Sequence, residues 1–210
     1  MKRLFTSLFL IFIVAFTAQS QSNIMFFGDS ITAGLGVQEN QAYPALVQQK
    51  IDSLGWNFNV INAGLSGETS AGGLRRVDWM LRQEIDVFVL ELGGNDGLRG
   101  IDLKSTKSNL QKIIDKVEAK YPDTKIILAG MEVPPNLGPD YTKQFREMYA
   151  ELAQSNDISL IPFLLQGVGR NPNLMQSDGI HPNVAGHKKV AEVAWETLKP
   201  ILQNMRTTNG

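Results

Sequence analysis

Cysteine is absent from all 210 residues of the chain. Its absence excludes disulfide bonds, thiol chemistry, thiolate zinc ligands and lipid attachment at a cysteine. Histidine is nearly as scarce, because His181 and His187 are the only two. They are six residues apart, not the four that place two ligands on one helical face, and no third metal ligand is evident. The sequence therefore indicates neither a metal site nor another cofactor.

Two motifs that would identify other enzyme classes are also missing. No Gly-x-Ser-x-Gly occurs in the chain, which argues against the nucleophile elbow of α/β-hydrolases. No Gly-Lys-Ser/Thr occurs either, so a phosphate-binding loop is not supported. Basic residues are not in excess, since 20 basic residues face 21 acidic ones. Such a balance gives no electrostatic footprint for binding nucleic acid or anionic lipid.

The first 20 residues form a segment distinct from the rest. Lys2 and Arg3 precede an apolar run over residues 8–16, and the small residues Ala18 and Ser20 stand at the usual cleavage positions. This pattern predicts a secretory signal peptide over residues 1–20, with a run too short to span a bilayer comfortably. An N-terminal anchor that is never cut is the alternative. Cleavage would remove two basic residues and leave a formal net charge of −3.

From residue 24 onward, short apolar runs alternate with longer amphipathic segments, which predicts one α/β domain over residues 21–210. Asn183 is the expected N-cap of the last helix. Parallel strands covered on both faces are near-continuously apolar, and their ligand site lies at their carboxyl ends. The predicted strands cover residues 24–27, 58–61, 87–92, 125–129 and 159–163, and the predicted helices cover residues 42–54, 70–83, 104–120, 140–155 and 184–202.

Ser30 follows the first predicted strand in the run Gly28-Asp29-Ser30. A hydroxyl at that turn lies at the sheet edge, near backbone N–H groups that favour developing negative charge. A serine there is also a common helix N-cap, so the tripeptide alone does not establish a nucleophile.

A serine nucleophile needs a base, and His181 is better placed than His187, which falls inside the last predicted helix. Asp178 precedes His181 by three residues in a loop, so its carboxylate can reach Nδ1–H while Nε2 faces the nucleophile. The alternative is an aspartate that only shapes the turn beside an incidental histidine.

Two further segments offer donors for an oxyanion. Asn95 follows two glycines at the end of an apolar strand, and Gly67 supplies a backbone N–H in the loop after the second strand. The run Gly93-Gly94-Asn95-Asp96 is equally compatible with ordinary turn chemistry.

Four parts of the chain resemble, in order, the four blocks of the SGNH (GDSL) hydrolases. They are Gly28-Asp29-Ser30, Gly67, Gly93-Gly94-Asn95-Asp96 and Asp178-Gly179-Ile180-His181-Pro182. The resemblance implies a flavodoxin-like three-layer α/β/α sandwich with a five-stranded parallel sheet. It also implies a catalytic triad of Ser30, His181 and Asp178, and an oxyanion hole made of the Ser30 and Gly67 N–H groups and the Asn95 amide.

The family resemblance implies a serine esterase that acts on small-molecule esters or thioesters, including aryl esters, acyl-CoA and lysophospholipids, without a cofactor. Walls of an acyl groove are expected at Leu98, Ile101, Pro134, Pro135 and Leu137. Two alternatives stay open, a carbohydrate O-acetylesterase with the same triad and a non-catalytic binding module of the same fold. We expect an exported monomer, periplasmic or secreted, with no nucleic-acid partner and no stable membrane insertion after cleavage.

Overall fold

A computed structural model describes residues 21–208, so the predicted signal peptide lies outside the described residues. Its centre is a five-stranded sheet in the order β2-β1-β3-β4-β5, with all neighbours parallel. The predicted flavodoxin-like α/β fold is thereby confirmed. The strands are β1 (Ser22–Gly28), β2 (Phe58–Gly64), β3 (Val87–Glu91), β4 (Lys125–Ala129) and β5 (Ser159–Ile161).

Apolar side chains on both faces of the central strands form the core. In β1, Ile24, Met25, Phe26 and Phe27 are all buried, and every residue of β3 is buried. A strand with no polar face must be covered on both sides, which requires helices above and below the sheet.

The helices divide between the two faces of the sheet. The connections from β2 through β5 all run in one direction, and that from β1 to β2 runs in the other, so right-handed crossovers place their helices on opposite faces. Accordingly α2 packs against α7, whereas α5 packs against both α3 and α6. The helices are α1 (Ser30–Ala33), α2 (Tyr43–Ser53), α3 (Ser70–Met80), α4 (Gly94–Leu98), α5 (Leu103–Lys120), α6 (Pro139–Ser155) and α7 (Val184–Thr208).

The last helix is longer than predicted. It begins at Val184, where the backbone N–H of Gly186 donates to Asn183 Oδ1 at 3.0 Å, so the predicted N-cap is confirmed. It continues through Pro200 to Thr208 rather than ending at residue 202. Among the helices in residues 21–208, none combines the length and apolarity needed to cross a bilayer.

Strand order also fixes where a ligand can bind. The chain passes from β1 to β2 on one side of β1, and from β2 to β3 on its other side. A crevice therefore opens at the carboxyl ends of β1 and β3. Ser30 follows β1 and Asn95 follows β3 at that edge.

Candidate active site

Ser30 is the first residue of α1, and only Asp29 separates it from the end of β1. Asp29 caps this single turn of helix, because its Oδ1 accepts the backbone N–H of Ile31 at 3.0 Å. Ser30 is largely buried, at 7% exposure, yet it lines a cavity. The turn therefore holds the hydroxyl fixed at the base of an open site.

His181 reaches Ser30 from the loop that precedes α7. Its Nε2 lies 2.8 Å from Ser30 Oγ, although 151 residues separate the two in sequence. The other ring nitrogen, Nδ1, lies 2.6 Å from Asp178 Oδ2. A carboxylate beside Nδ1 selects the tautomer that carries its proton there, which leaves Nε2 free to accept the serine proton.

Asp178 is held by the loop that it shares with His181. Its Oδ1 accepts the backbone N–H groups of Ile180 at 2.9 Å and His181 at 3.0 Å. These bonds from the backbone and imidazole of His181, with that from Ile180, lower the pKa of Asp178 to about 2. Asp178 therefore stays a carboxylate at any pH at which the imidazole can act as a base.

Two backbone N–H groups at the site are free to donate hydrogen bonds to a negatively charged oxygen. Within residues 21–208, the N–H groups of Ser30 and Gly67 have no hydrogen-bond acceptor. Gly67 has a φ of 78°, in the left-handed region that favours glycine. Both residues were predicted as oxyanion donors.

The loop that carries Gly67 is fastened on both sides. The buried carboxylate of Glu68 forms a bidentate ion pair with Arg76, whose Nε donates to Glu68 Oε1 at 2.9 Å and whose second nitrogen contacts Oε2. Arg76 also donates to the carbonyl of Ala63 at 2.9 Å, and Arg99 donates to the carbonyl of Gly67 at 3.3 Å. Sequence reasoning did not single out either arginine.

The side chain of Asn95 lies at the same edge, but its amide hydrogens already have acceptors. Nδ2 donates to Asp29 Oδ2 and to the carbonyl of Glu68, both at 3.0 Å. The bond to the Asp29 carboxylate is charge-assisted and the stronger of the two. If Asn95 donates to an oxyanion, it therefore uses the Nδ2 hydrogen that faces the carbonyl of Glu68, and the oxyanion and that carbonyl share this hydrogen.

Asp29 and Asp96 are buried acids of the motif runs to which the sequence analysis gave no role. Burial raises the pKa of Asp29 to about 6 against the opposing effect of its hydrogen bonds, including that from Ile31. Asp96 Oδ2 accepts the N–H of Ser70 at 2.8 Å, and its Oδ1 accepts the Thr106 hydroxyl at 3.2 Å. Asp96 thus joins α4 to α3 and α5 rather than facing the cavity.

A largely apolar cavity of about 470 Å³ opens beside Ser30 and His181. Of the predicted wall residues, Leu98 and Pro134 line it, whereas Ile101 and Leu137 do not. The side chain of Pro135 lies outside what the structure describes. Sequence reasoning missed most of the apolar wall, which includes Ile31, Met131, Phe163, Leu165 and Met175.

The site can perform acyl transfer through serine. Its hydroxyl is hydrogen-bonded to an imidazole, the imidazole is hydrogen-bonded to a carboxylate, and free N–H donors lie nearby. Fold and site together define the class of serine hydrolases. Residues 26–189 match the profile of the GDSL-like Lipase/Acylhydrolase family. The chain belongs to that family, and it is an ester hydrolase.

Known proteins resemble the chain over nearly its whole length. Esterase TesA of Pseudomonas aeruginosa is 41% identical over 192 residues, covering 90% of this chain and 94% of the relative. Thioesterase 1/protease 1/lysophospholipase L1 of Escherichia coli K12 is 36% identical over 198 residues, covering 94% and 92%. The crystal structure of esterase EstA from Pseudoalteromonas superposes with a TM-score of 0.82 at 32% identity, covering 87% of this chain and 99% of EstA.

Proposed function

We propose that the protein hydrolyses esters and thioesters of medium and long acyl chains through a Ser30 acyl-enzyme. The observation that carries this proposal is the 2.8 Å contact between Ser30 Oγ and His181 Nε2, two residues that line the apolar cavity. The site fits an ester in two parts. The nucleophile at the polar edge can attack the carbonyl group, and the apolar cavity beside it can hold the acyl chain.

In the first step, Ser30 Oγ attacks the carbonyl carbon while His181 Nε2 takes the hydroxyl proton. Asp178 stabilises the imidazolium that results, because its ionised carboxylate accepts a hydrogen bond from Nδ1–H, with 2.6 Å between Nδ1 and Oδ2. His181 then passes its proton to the leaving alcohol or thiol as the tetrahedral intermediate collapses.

The tetrahedral intermediate needs donors where its oxygen becomes negative. The N–H groups of Ser30 and Gly67 and the Nδ2 of Asn95 are assigned this role. Preorganised donors of this kind lower the barrier because they require no reorganisation as charge develops. Asn95 would share the hydrogen that faces the carbonyl of Glu68, a neutral acceptor that gives it up more readily than Asp29 does.

In the second step, water replaces the leaving group. His181 removes a proton from that water, which attacks the acyl carbon, and the same proton returns to Ser30 as the acid departs.

The cavity supports an acyl chain longer than acetate. Its volume lies within the range of about 300–1,000 Å³ typical of small-molecule sites, and Leu98, Met131 and Phe163 give it apolar walls. Acyl-CoA thioesters and lysophospholipids present such a chain, and so do aryl esters of medium- and long-chain acids. Relatives named as an esterase and as a thioesterase and lysophospholipase support this range.

The direct test combines covalent labelling with a panel of p-nitrophenyl esters from acetate to palmitate. We expect a fluorophosphonate probe to label wild type and Ser53→Ala, whose exposed hydroxyl lies outside the site, but not Ser30→Ala. We also expect kcat/KM to rise from acetate toward medium chains. Activity confined to acetyl esters would instead support a carbohydrate O-acetylesterase, and absence of labelling and turnover would indicate a non-catalytic binding module.

We further propose that residues 21–210 form the mature monomeric hydrolase after removal of residues 1–20 during export. Support for export comes from the sequence pattern of that segment. Fractionation of a tagged chain into periplasm and medium, with mass determination of the exported form, tests this proposal.

A further inference from the structure

Glu91, the last residue of β3, lies directly beneath the turn that carries Ser30. Parallel register pairs it with Gly28, the residue that ends β1, and its exposure is 0%. A Cβ at position 28 would come within 2.4 Å of Glu91 Oε2, so glycine is required there for the carboxyl group to fit. Nothing in the mechanism above uses this buried acid.

One oxygen of Glu91 is fully engaged. Oε2 accepts the backbone N–H of Asp29 at 3.1 Å and the hydroxyl of Thr32 at 2.8 Å. Since Thr32 gives its proton to Glu91, the hydroxyl of Tyr43, 2.9 Å away, must donate to Thr32. This ordered chain delivers the Thr32 proton to Oε2, and the Asp29 N–H is the second donor. The other oxygen, Oε1, is buried and faces no donor among the described residues.

The carboxyl group of Asp29 completes the arrangement. The backbone N–H of Asp29 already donates to Glu91 Oε2, and the two buried carboxyl groups lie close enough to interact. Two carboxylates cannot hydrogen-bond unless one of them carries a proton. Burial, followed by the negative charge of Asp29, raises the pKa of Glu91 well above its ordinary value. Glu91 is thus the member of the pair that keeps the proton.

We propose that Glu91 is a positioning residue that keeps its proton and uses it to donate a hydrogen bond to Asp29, so that Asp29 stays a carboxylate and orients the Asn95 amide. The inference rests on the proposed function, because it assigns a purpose to the orientation of an oxyanion donor. Asp29 Oδ2 accepts from Asn95 Nδ2 at 3.0 Å, which turns the amide nitrogen, not its oxygen, toward the edge that carries Ser30.

The groups around Glu91 favour the neutral form. Asp29 faces it from the turn after β1, Tyr43 from α2 and Tyr149 from α6, and no cation among the described residues hydrogen-bonds or forms an ion pair with its carboxyl group. Burial raises the pKa of both tyrosines, so they are neutral as well. The cluster of Asp29, Glu91, Tyr43 and Tyr149 therefore carries a single negative charge, which lies on Asp29.

The decisive measurement is infrared spectroscopy of the resting protein at pH 8, above the pKa of Asp29. We expect the carbonyl stretch of one buried protonated carboxyl group in wild type and its loss in Glu91→Gln. Exposed Glu118→Gln serves as the matched control and should keep the band. Absence of the band in wild type, or its persistence in Glu91→Gln, would overturn the proposal.

Kinetics then test positioning. Glu91→Gln keeps a neutral group that can donate to Asp29 and accept from Thr32, so its kcat should stay within about threefold of wild type. Glu91→Leu removes the donor, and kcat should fall about tenfold to a hundredfold with KM nearly unchanged, a part of the loss expected for an oxyanion donor. Asp29→Asn should lower kcat similarly, because its amide nitrogen would face the Asn95 nitrogen.

If Glu91→Leu does not fold, the Gln and Asp29→Asn variants still decide the matter. A hundredfold loss in Glu91→Gln, or full activity in Asp29→Asn, contradicts the positioning role. The infrared band needs no turnover, and probe labelling of wild type reports on Ser30 alone. Failure of the proposed function and failure of this inference are therefore separable.

Discussion

The imidazole of His187 lies parallel to the ring of Tyr43, with 6.5 Å between ring centroids, and its Nδ1 accepts the backbone N–H of Tyr43 at 3.3 Å. Because Nδ1 is an acceptor, the proton sits on Nε2, which is buried without a partner among the described residues. Burial, followed by the charge of His181, lowers the pKa of His187 to about 4. The second histidine of the chain is thus a neutral core residue.

This burial predicts an acid-dependent stability. Above about pH 6.5 His187 is neutral in both the folded and the unfolded state, so it contributes no pH dependence. Between about 6.5 and 4 only the unfolded state binds the proton, and the free energy of unfolding falls by on the order of 3 kcal/mol. Asp29, whose pKa is raised to about 6, acts with the opposite sign over part of this window. Urea unfolding of wild type and His187→Asn from pH 8 to 4 isolates the histidine, and parallel curves would contradict the assignment.

Replacing Asp178 by Asn should abolish most of the activity. An amide nitrogen facing Nδ1 favours the tautomer that carries its proton on Nε2, which cannot accept the proton of Ser30. We expect kcat to fall by about two to four orders of magnitude. Asp123→Asn, in the exposed turn before β4, should behave as wild type. Retention of more than about a tenth of wild-type kcat in Asp178→Asn would show that Asp178 does not set the tautomer.

Asn95→Ala should lower kcat by about two to three orders of magnitude, the typical effect of losing one oxyanion donor. Steady-state kinetics on a medium-chain ester measure the loss, and thermal unfolding shows whether the fold is retained despite two missing hydrogen bonds. Turnover above about a third of the wild-type value would remove Asn95 from the oxyanion hole.

Arg76→Met should destabilise the protein, since it leaves the carboxylate of Glu68 buried without its cation. The cost of breaking such a pair is about 3 kcal/mol or more. The double variant with Glu68→Met should recover much of that loss, because two apolar side chains leave no buried charge. Urea denaturation compares the two, and equal stability of the single and double variants would refute the argument.

Leu98→Ala should weaken activity toward long chains more than toward butyrate. Leu98 lines the cavity, and each methylene contact removed costs about 0.8 kcal/mol, so kcat/KM for a dodecanoyl ester should fall about three- to tenfold. Leu137→Ala is the matched control, because Leu137 is similarly exposed but lies off the cavity wall. If both variants lose the same activity, the acyl chain follows a different path.

Much of the fold could be predicted because its strands carry their own signal. The apolar run at residues 87–92 predicts a fully covered strand, and β3 begins at Val87 as predicted. Helix α4 was missed, since Gly94, Asn95 and Gly97 are typical turn residues. Gly97 is a glycine because of packing and not because of a turn, since a Cβ at this position would come within 2.3 Å of Val133 Cγ1.

The candidate site was predictable where its chemistry lies in short runs, as at Ser30 and His181. The acid pair of Asp29 and Glu91 was not, since only the register between β1 and β3 brings the two together. Likewise, the sequence did not reveal that Ile101 lies off the cavity wall. Its N–H donates to the carbonyl of Asp96, and this bond holds the segment against α4.

The base and its carboxylate occupy one tight loop. Asp178 binds the backbone N–H of His181, and Gln176 N–H donates to the carbonyl of His181 at 2.8 Å, so the loop closes on itself. Ser30, in contrast, stands on the turn that follows β1, an interior strand of the sheet. Any displacement of the loop carries Asp178 and His181 together and leaves the hydrogen bond between them intact. One distance, from Ser30 Oγ to His181 Nε2, then measures whether the enzyme is assembled.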